Sequence, residues 1–240
     1  MRSRHLFLLA SLAALAAGLW VVPSGLALRK PVIQQVFGPK LVRLEAIERT
    51  PINGSTDWRI DRGAIVSVSS TQLTLREADG RIQAVSLAST TEVVRLGRIV
   101  SVARLAPHGN ALVTWRANGA AQVVAVGRLP TWLRQTIVHQ LVGPRLVRLE
   151  AFNNAAVAGS NDWRVDRGVI TSVNSTQLTL READGRLQAV PLSSATRVIY
   201  GGRQMPLSSL SRRWRVLVTW PASGAAQSVD VERIKGQGRR

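Results

Sequence analysis

The stretch STQLTLREADGR occupies Ser70–Arg81 and recurs letter for letter at Ser175–Arg186. Within it Gln72-Leu-Thr-Leu-Arg76 alternates, with Leu73 and Leu75 on one face and Thr74 and Arg76 on the other. That is the period-2 pattern of a half-buried strand. Asp79-Gly80 follows, a dipeptide favoured in tight hairpin turns because both residues tolerate a positive φ. Arg81-Ile-Gln-Ala-Val-Ser-Leu87 then reads as the returning strand. The twelve residues are a strand and its turn, a piece of scaffold present twice. Arg76, Glu77 and Arg81 are expected to face solvent as a mixed-charge edge.

The identity extends outward at a constant offset of 105 residues. Trp58 and Trp163 both sit in Asp-Trp-Arg, and LVRLEA begins at Leu41 and at Leu146. Gly38-Pro39 matches Gly143-Pro144, Trp115 matches Trp220, and Gly119-Ala-Ala-Gln matches Gly224-Ala-Ala-Gln. No gap is needed, so the chain reads as a tandem duplication of one domain. The second copy is traceable back to Leu133-Arg134, which matches Leu28-Arg29.

Each unit reads as β-rich. LVRLEA alternates, with Val42, Leu44 and Ala46 on one face. Gly63–Val68 is short and β-branched, and Ala111–Trp115 and Gln122–Val126 flank a turn at Ala117-Asn-Gly119. Short strands at close spacing with glycine turns indicate a small barrel or sandwich. A helical turn is expected before each Gly-Pro. Val32, Ile33, Val36 and Phe37 form its stripe in the first copy, and Ile137, Val138, Leu141 and Val142 in the second. The fold class is therefore all-β: two tandem small barrels, each preceded by a short helical turn. The strands should pair within units, and Pro130–Gly143 should join two separate cores. The boundaries are a leader at 1–27, a first barrel at 28–129, a linker with a short helix at 130–142, a second barrel at 143–235 and a basic tail at 236–240.

The order Gly168-x-Ile170-x-x-Val173, Leu178-x-Leu180, Asp184-Gly185, Val190-x-Leu192, Thr196-x-Val198, Leu210, Val216-x-Val218 and Ala226-x-x-Val229-x-Val231 resembles a family of exported bacterial domains of unknown function. The resemblance covers Gly63–Val126 and Gly168–Val231. It implies an OB-like barrel fold and an envelope location, and it carries no catalytic residues. That family places glycine about three residues after the Leu that precedes the penultimate strand. His108 and Arg213 stand there, which implies a differently built loop.

The ends and the composition bound the location. Met1-Arg-Ser-Arg-His5 is followed by an apolar run from Leu6 to Val22, then Pro23, with Gly25 and Ala27 at the −3 and −1 positions of a cleavage site. That is the layout of a signal peptide, so a chain starting near Leu28 and exported to the envelope or medium is expected. An uncleaved Met1–Ala27 would be the membrane contact, since no later segment is apolar enough to span a bilayer. There is no cysteine, which excludes disulfides, thiolate metal sites and cysteine nucleophiles. The formal net charge is +18, and +16 without the leader, nearly all of it arginine. Such a surface suits a polyanion: a cell-wall polymer, lipid headgroups or extracellular nucleic acid. Arginine-rich composition serving solubility explains the same number.

Catalytic constellations are scarce. His108 and His139 are matched by Arg213 and Gln34, so neither belongs to a duplicated site. There is no Gly-rich phosphate loop, H-E-x-x-H or G-x-S-x-G. Asp57/Asp61, repeated as Asp162/Asp166, is the best carboxylate pair, and suitably spaced pairs hydrolyse glycosides. Arg59 and Arg62 flank it and favour ionised, salt-bridged aspartates around a core Trp. Trp58 and Trp163 are expected to close one end of each barrel. Ser211-Arg-Arg-Trp-Arg215 has an uncharged counterpart in Ala106–Asn110. Arg212, Arg213, Trp214 and Arg215, with Arg233 and Lys235 of the tail, are the candidate polyanion site. The expectation is an exported, non-catalytic binding module without cofactor or metal. The alternatives are a structural spacer with no strong ligand and a glycan-active enzyme.

Overall fold

The structure is a computed structural model that describes residues 38, 40–50, 54–127, 130–131, 135, 137, 141, 143–154 and 162–233. The leader, the Val32–Phe37 stripe, and Lys235 with the basic tail lie outside the described residues. The fold is all-β.

The repeated stretch forms β3 (Gln72–Glu77) and, after its turn, β4 (Ile82–Ser86) returns in register from Gln72↔Ser86 to Arg76↔Ile82. Only the second turn residue is left-handed, Gly80 at φ 89. The Gly80 N–H donates to the Glu77 carbonyl at 3.0 Å and the Glu77 N–H to the Arg81 carbonyl at 2.8 Å. This is a three-residue loop ending in a left-handed glycine, in place of the two-residue turn that Asp-Gly suggests. One expectation fails here. Glu77 does not face solvent; it is buried, at the inward parity of Leu73 and Leu75.

The organising strand is β2 (Ser55–Val68), which runs through Asp57-Trp-Arg59 into the β-branched stretch. One edge of β2 takes two partners in succession. β1 (Leu41–Arg49) pairs with its first half and β3 with its second. The other edge takes β7 (Asn110–Arg116). Gly63 sits where β1 hands over to β3, and a Cβ there would lie 2.4 Å from the Arg76 carbonyl oxygen. β8 (Ala121–Val126) pairs antiparallel with β7 and parallel with β5 (Glu92–Arg95), which pairs with β6 (Arg98–Val100).

The second half repeats this at the same offset. Its strands are β9 (Leu146–Asn153), β10 (Trp163–Val173), β11 (Gln177–Glu182), β12 (Leu187–Pro191), β13 (Arg197–Tyr200), β14 (Arg203–Met205), β15 (Arg215–Pro221) and β16 (Ser228–Arg233). Asp166↔Val218 on β10 and β15 repeats Asp61↔Val113 on β2 and β7. Each half has an apolar core. Ile65, Leu73, Leu75, Val85 and Val113 build the first, and Ile170, Leu178, Leu180, Val190 and Val218 the second.

The expectation that strands pair only within a unit is overturned. β1 and β9 pair antiparallel, and the sixteen described strands form one sheet. A third core lies along this seam. Leu41, Leu44, Ala46, Trp58 and Ile60 of the first half meet Ile137, Leu141, Leu149, Ala151 and Val165 of the second. Hence Trp58 lies in the seam core, where barrel closure was expected of it, and Trp163 packs partly buried against the same core. The reason is physical. Alone, β1 would leave one row of backbone donors and acceptors open, and so would its copy β9; pairing the two closes both edges. Ile137 and Leu141 are in helical backbone, as their stripe predicted, and both pack into the seam core; Val138 and Val142 lie outside the described residues.

The seam has a local two-fold symmetry. Its centre is Glu45↔Glu150, the same residue in each repeat. Arg43↔Phe152 and Ile47↔Arg148 are related by the axis. So are two flanking bonds of 2.9 Å, from the Arg49 N–H to the Arg145 carbonyl and from the Asn154 N–H to the Lys40 carbonyl. This is an isologous contact made within one chain.

Candidate functional site

Two features carry charge chemistry: an arginine face on the second half, and a buried acid pair in each half.

The arginine face follows from strand register. Arg215 on β15 is paired with Arg233 on β16 and with Val169 on β10. Val169 is paired with Arg181 on β11, and Arg181 with Leu187 on β12. Directly paired residues share a face, and neighbouring strands lie about 4.8 Å apart. The strands β15, β10, β11 and β12 therefore present a transverse row of two arginines, Arg215 and Arg181, with two exposed aliphatic residues, Val169 and Leu187. Above the row, the turn at Arg212 and Arg213 is laced onto β10. The Arg213 N–H donates to the Ile170 carbonyl at 2.8 Å, and the Ile170 N–H to the Trp214 carbonyl at 2.9 Å. A depression of about 230 Å³ lies between row and turn, lined by Val169, Ile170, Thr171, Arg181, Arg212 and Arg213. Those three arginines are exposed and form no salt bridge among the described residues.

The candidate residues are thus partly brought together. Arg212 and Arg213 share the depression. Arg215 is held aside by Glu232 at 3.2 Å, and Glu232 also binds the buried Arg167 at 2.7 Å. Trp214 packs partly buried against the second core. The backbone of Arg233 ends the row, and Lys235 lies outside the described residues. Sequence reasoning missed Arg181. Its signal was present: Arg181 follows Leu178 and Leu180 at the outward parity of one hairpin, opposite Val169.

His108 and Arg213 occupy equivalent places in the two loops. Both are left-handed, at φ 67 and φ 70. The His108 N–H donates to the Ile65 carbonyl at 2.8 Å, as that of Arg213 does to the Ile170 carbonyl. Each loop places a bulky residue in a left-handed conformation that glycine adopts more easily.

The acid pair sits where β1 hands over to β3. Asp61 accepts a hydrogen bond from the Trp115 indole N–H, and the pattern recurs between Asp166 and Trp220. The neighbouring carboxyl is Glu77, or Glu182 in the copy; all four acids are buried. Arg43 reaches from β1 to Glu77 at 3.0 Å and to Asp79 at 2.7 Å. Arg148 does the same for Glu182 and Asp184. Burial, with Asp61 alongside, pushes the Glu77 carboxyl up to about 7. Burial and the charge of Asp166 push Glu182 up to about 7 as well. Asp61 and Asp166 are also raised by burial, against the opposing bond from the indole. In each pair, burial and the nearness of the second acid favour the protonated form of the glutamate well above the usual carboxylate range. Glu182 Oε1 is buried with no hydrogen-bond partner among the described groups.

The pairing anticipated between Asp57 and Asp61 does not form the chemical unit. Asp57 and Asp61 are four residues apart on one strand, about 13 Å along it. Asp57 instead pairs with Arg59 at 3.3 Å, and Asp162 accepts from the Asn153 N–H at 3.0 Å. Among the described residues no group of three or more His, Asp or Glu converges as metal ligands would. Comparison with protein-family models, with curated proteins and with solved structures finds no match to this chain.

Proposed function

We propose that this chain is an exported, non-catalytic binding module whose second half grips a polyanion through its arginine face. The observation that carries the reading is the depression walled by Arg181, Arg212 and Arg213, three cations from two elements with no acid in a salt bridge to them among the described residues. A net charge of +16 without the leader draws anionic polymers to the molecule, and the paired strands hold the cations at a fixed spacing. Guanidinium forks suit phosphate, sulfate and carboxylate groups alike.

The same reading takes the chain as a duplicated OB-like barrel behind a cleavable leader. The constant offset of 105 supports duplication. The long β2 shared by three partners and the parallel β5–β8 pair support a nearly closed barrel. Cross-ties support it too, from Thr91 Oγ1 to the Ala121 carbonyl at 2.7 Å and from the Ala226 N–H to the Pro191 carbonyl at 2.8 Å. The basic start, apolar run and Gly25/Ala27 site support export.

Retention on heparin and affinity for short DNA, measured across salt concentrations, test the function. Replacing Arg181, Arg212 and Arg213 with Ala should flatten the slope of log K against log salt by roughly 2–3 for DNA, because each neutralised phosphate releases counterions. An unchanged slope would leave the spacer reading, with the positive charge a matter of composition.

A further inference from the structure

The two halves are near copies, so a place where one copy departs from good local chemistry stands out against its own control. The hairpin of β5 and β6 is such a place. Its turn is Leu96-Gly97, and both residues are left-handed, at φ 52 and φ 76. The second half uses Gly201-Gly202 there, at φ 55 and φ 80. A two-residue turn of this kind requires positive φ twice, which glycine meets without strain and leucine does not. Leu96 is 85% exposed, so no packing compensates. Arg95 and Arg98 face each other directly in the register, a like-charge pair. Ile99 is 50% exposed; its counterpart is Gln204.

Three unfavourable choices thus converge on one tip: a strained leucine, facing arginines and a second bare aliphatic. Strain without internal compensation marks a site whose partner lies outside the fold. We propose that the Arg95–Ile99 hairpin is a docking tip for an anionic lipid surface. Leu96 and Ile99 enter the boundary between headgroups and acyl chains, and Arg95 and Arg98 meet anionic headgroups at the flanks. Lipid suits this chemistry because apolar and cationic groups sit on one small projection, as in interfacial segments that combine buried apolar area with attraction to anionic headgroups. The anionic charge of the surface also removes the repulsion between the two arginines. This tip lies on the first half and is independent of the arginine face.

The chain has no cysteine, so Leu96→Cys in the full chain offers a single attachment point for an environment-sensitive fluorophore. Vesicles of phosphatidylcholine mixed with phosphatidylglycerol should shift its emission to the blue, and pure phosphatidylcholine vesicles should not. The same label at Gly201→Cys should stay silent, and binding through any other part of the chain leaves both labels unshifted. In a second experiment the doubly substituted L96G/I99Q chain, which adopts the second half's own residues and keeps every arginine, should lose about tenfold or more in affinity for the anionic vesicles. Its heparin retention should be unchanged, which separates this tip from the polyanion reading. Equal shifts at both positions, no shift at Leu96→Cys, or undiminished vesicle binding by L96G/I99Q would overturn the proposal. So would label burial by an acidic protein with none by lipid.

Discussion

Glu77 and Glu182 each bury a carboxyl beside a second acid, and this fixes how stability must change with pH. In the unfolded chain such a carboxyl titrates near 4.5, and in the fold near 7. The folded state therefore holds the proton more tightly. Its stabilisation is fully present below 4.5 and is lost as pH rises through about 7. The protein should melt at a higher temperature at pH 5 than at pH 8, measured by calorimetry in one ionic strength. Glu77→Gln with Glu182→Gln should flatten that difference, since an amide can donate to Asp61 or Asp166 as the protonated acid does. If the double variant kept the full pH dependence, another group would be its source. A second residue-scale outcome concerns His108, exposed and left-handed at φ 67. A side chain in that conformation costs about 1–2 kcal/mol, and glycine regains part of this while loosening the unfolded chain. His108→Gly should raise stability by up to about 1 kcal/mol in urea titrations; a loss would show that the imidazole makes a contact of value.

At the scale of elements, the handover on β2 and its copy on β10 each depend on a glycine with no space for a side chain. A Cβ at Gly63 would meet the Arg76 carbonyl oxygen at 2.4 Å, and at Gly168 the Arg181 carbonyl oxygen at 2.6 Å. Both obstacles are backbone, so relief requires β3 or β11 to move away from its partner. Gly63→Ala and Gly168→Ala should each cost about 1–3 kcal/mol by chemical denaturation, with the acid pair nearby disturbed in its titration. The hairpin itself was legible because alternation and a turn residue are local signals. Leu73, Leu75 and Val85 alternate inward as the pattern says, and Gly80 takes the left-handed place. Two things were misread, each for its own reason. Glu77 was read by its charge as solvent-facing, although its parity with Leu73 and Leu75 points inward. Asp61 was matched to Asp57 by nearness in sequence, whereas its partner Glu77 lies on the next strand. Sequence spacing along a strand hides cross-strand neighbours. The arginine loop stood out by contrast with its uncharged copy, while Arg181, outward by parity, was passed over because an identical arginine stands at Arg76.

For the whole molecule, the seam between β1 and β9 converts two similar halves into one mechanical unit. Sequence identity between LVRLEA and its copy announces the duplication but not the pairing, since a strand does not record which edge will cover it. Three consequences follow from its geometry. Both open edges are closed against each other, which removes two templates for aggregation. Arg43, which holds the first half's acid pair, also lies over the Phe152 ring of the second half at 4.4 Å, so the charge clusters and the seam share a side chain. And the seam core draws buried residues from both halves, with Leu44, Leu149 and Ala151 all fully covered. Neither half can lose its structure without uncovering apolar surface of the other. Unfolding should therefore be a single transition, followed by tryptophan fluorescence and by far-ultraviolet circular dichroism with coincident midpoints. Leu149→Ala, at the seam in the second half, should cost about 2–5 kcal/mol. Hydrogen exchange should then speed up in β7 of the first half as much as in β15 of the second, because both strands open only with the whole. Two resolved transitions, or faster exchange confined to the second half, would mean that the shared sheet joins the halves in space without coupling them in energy.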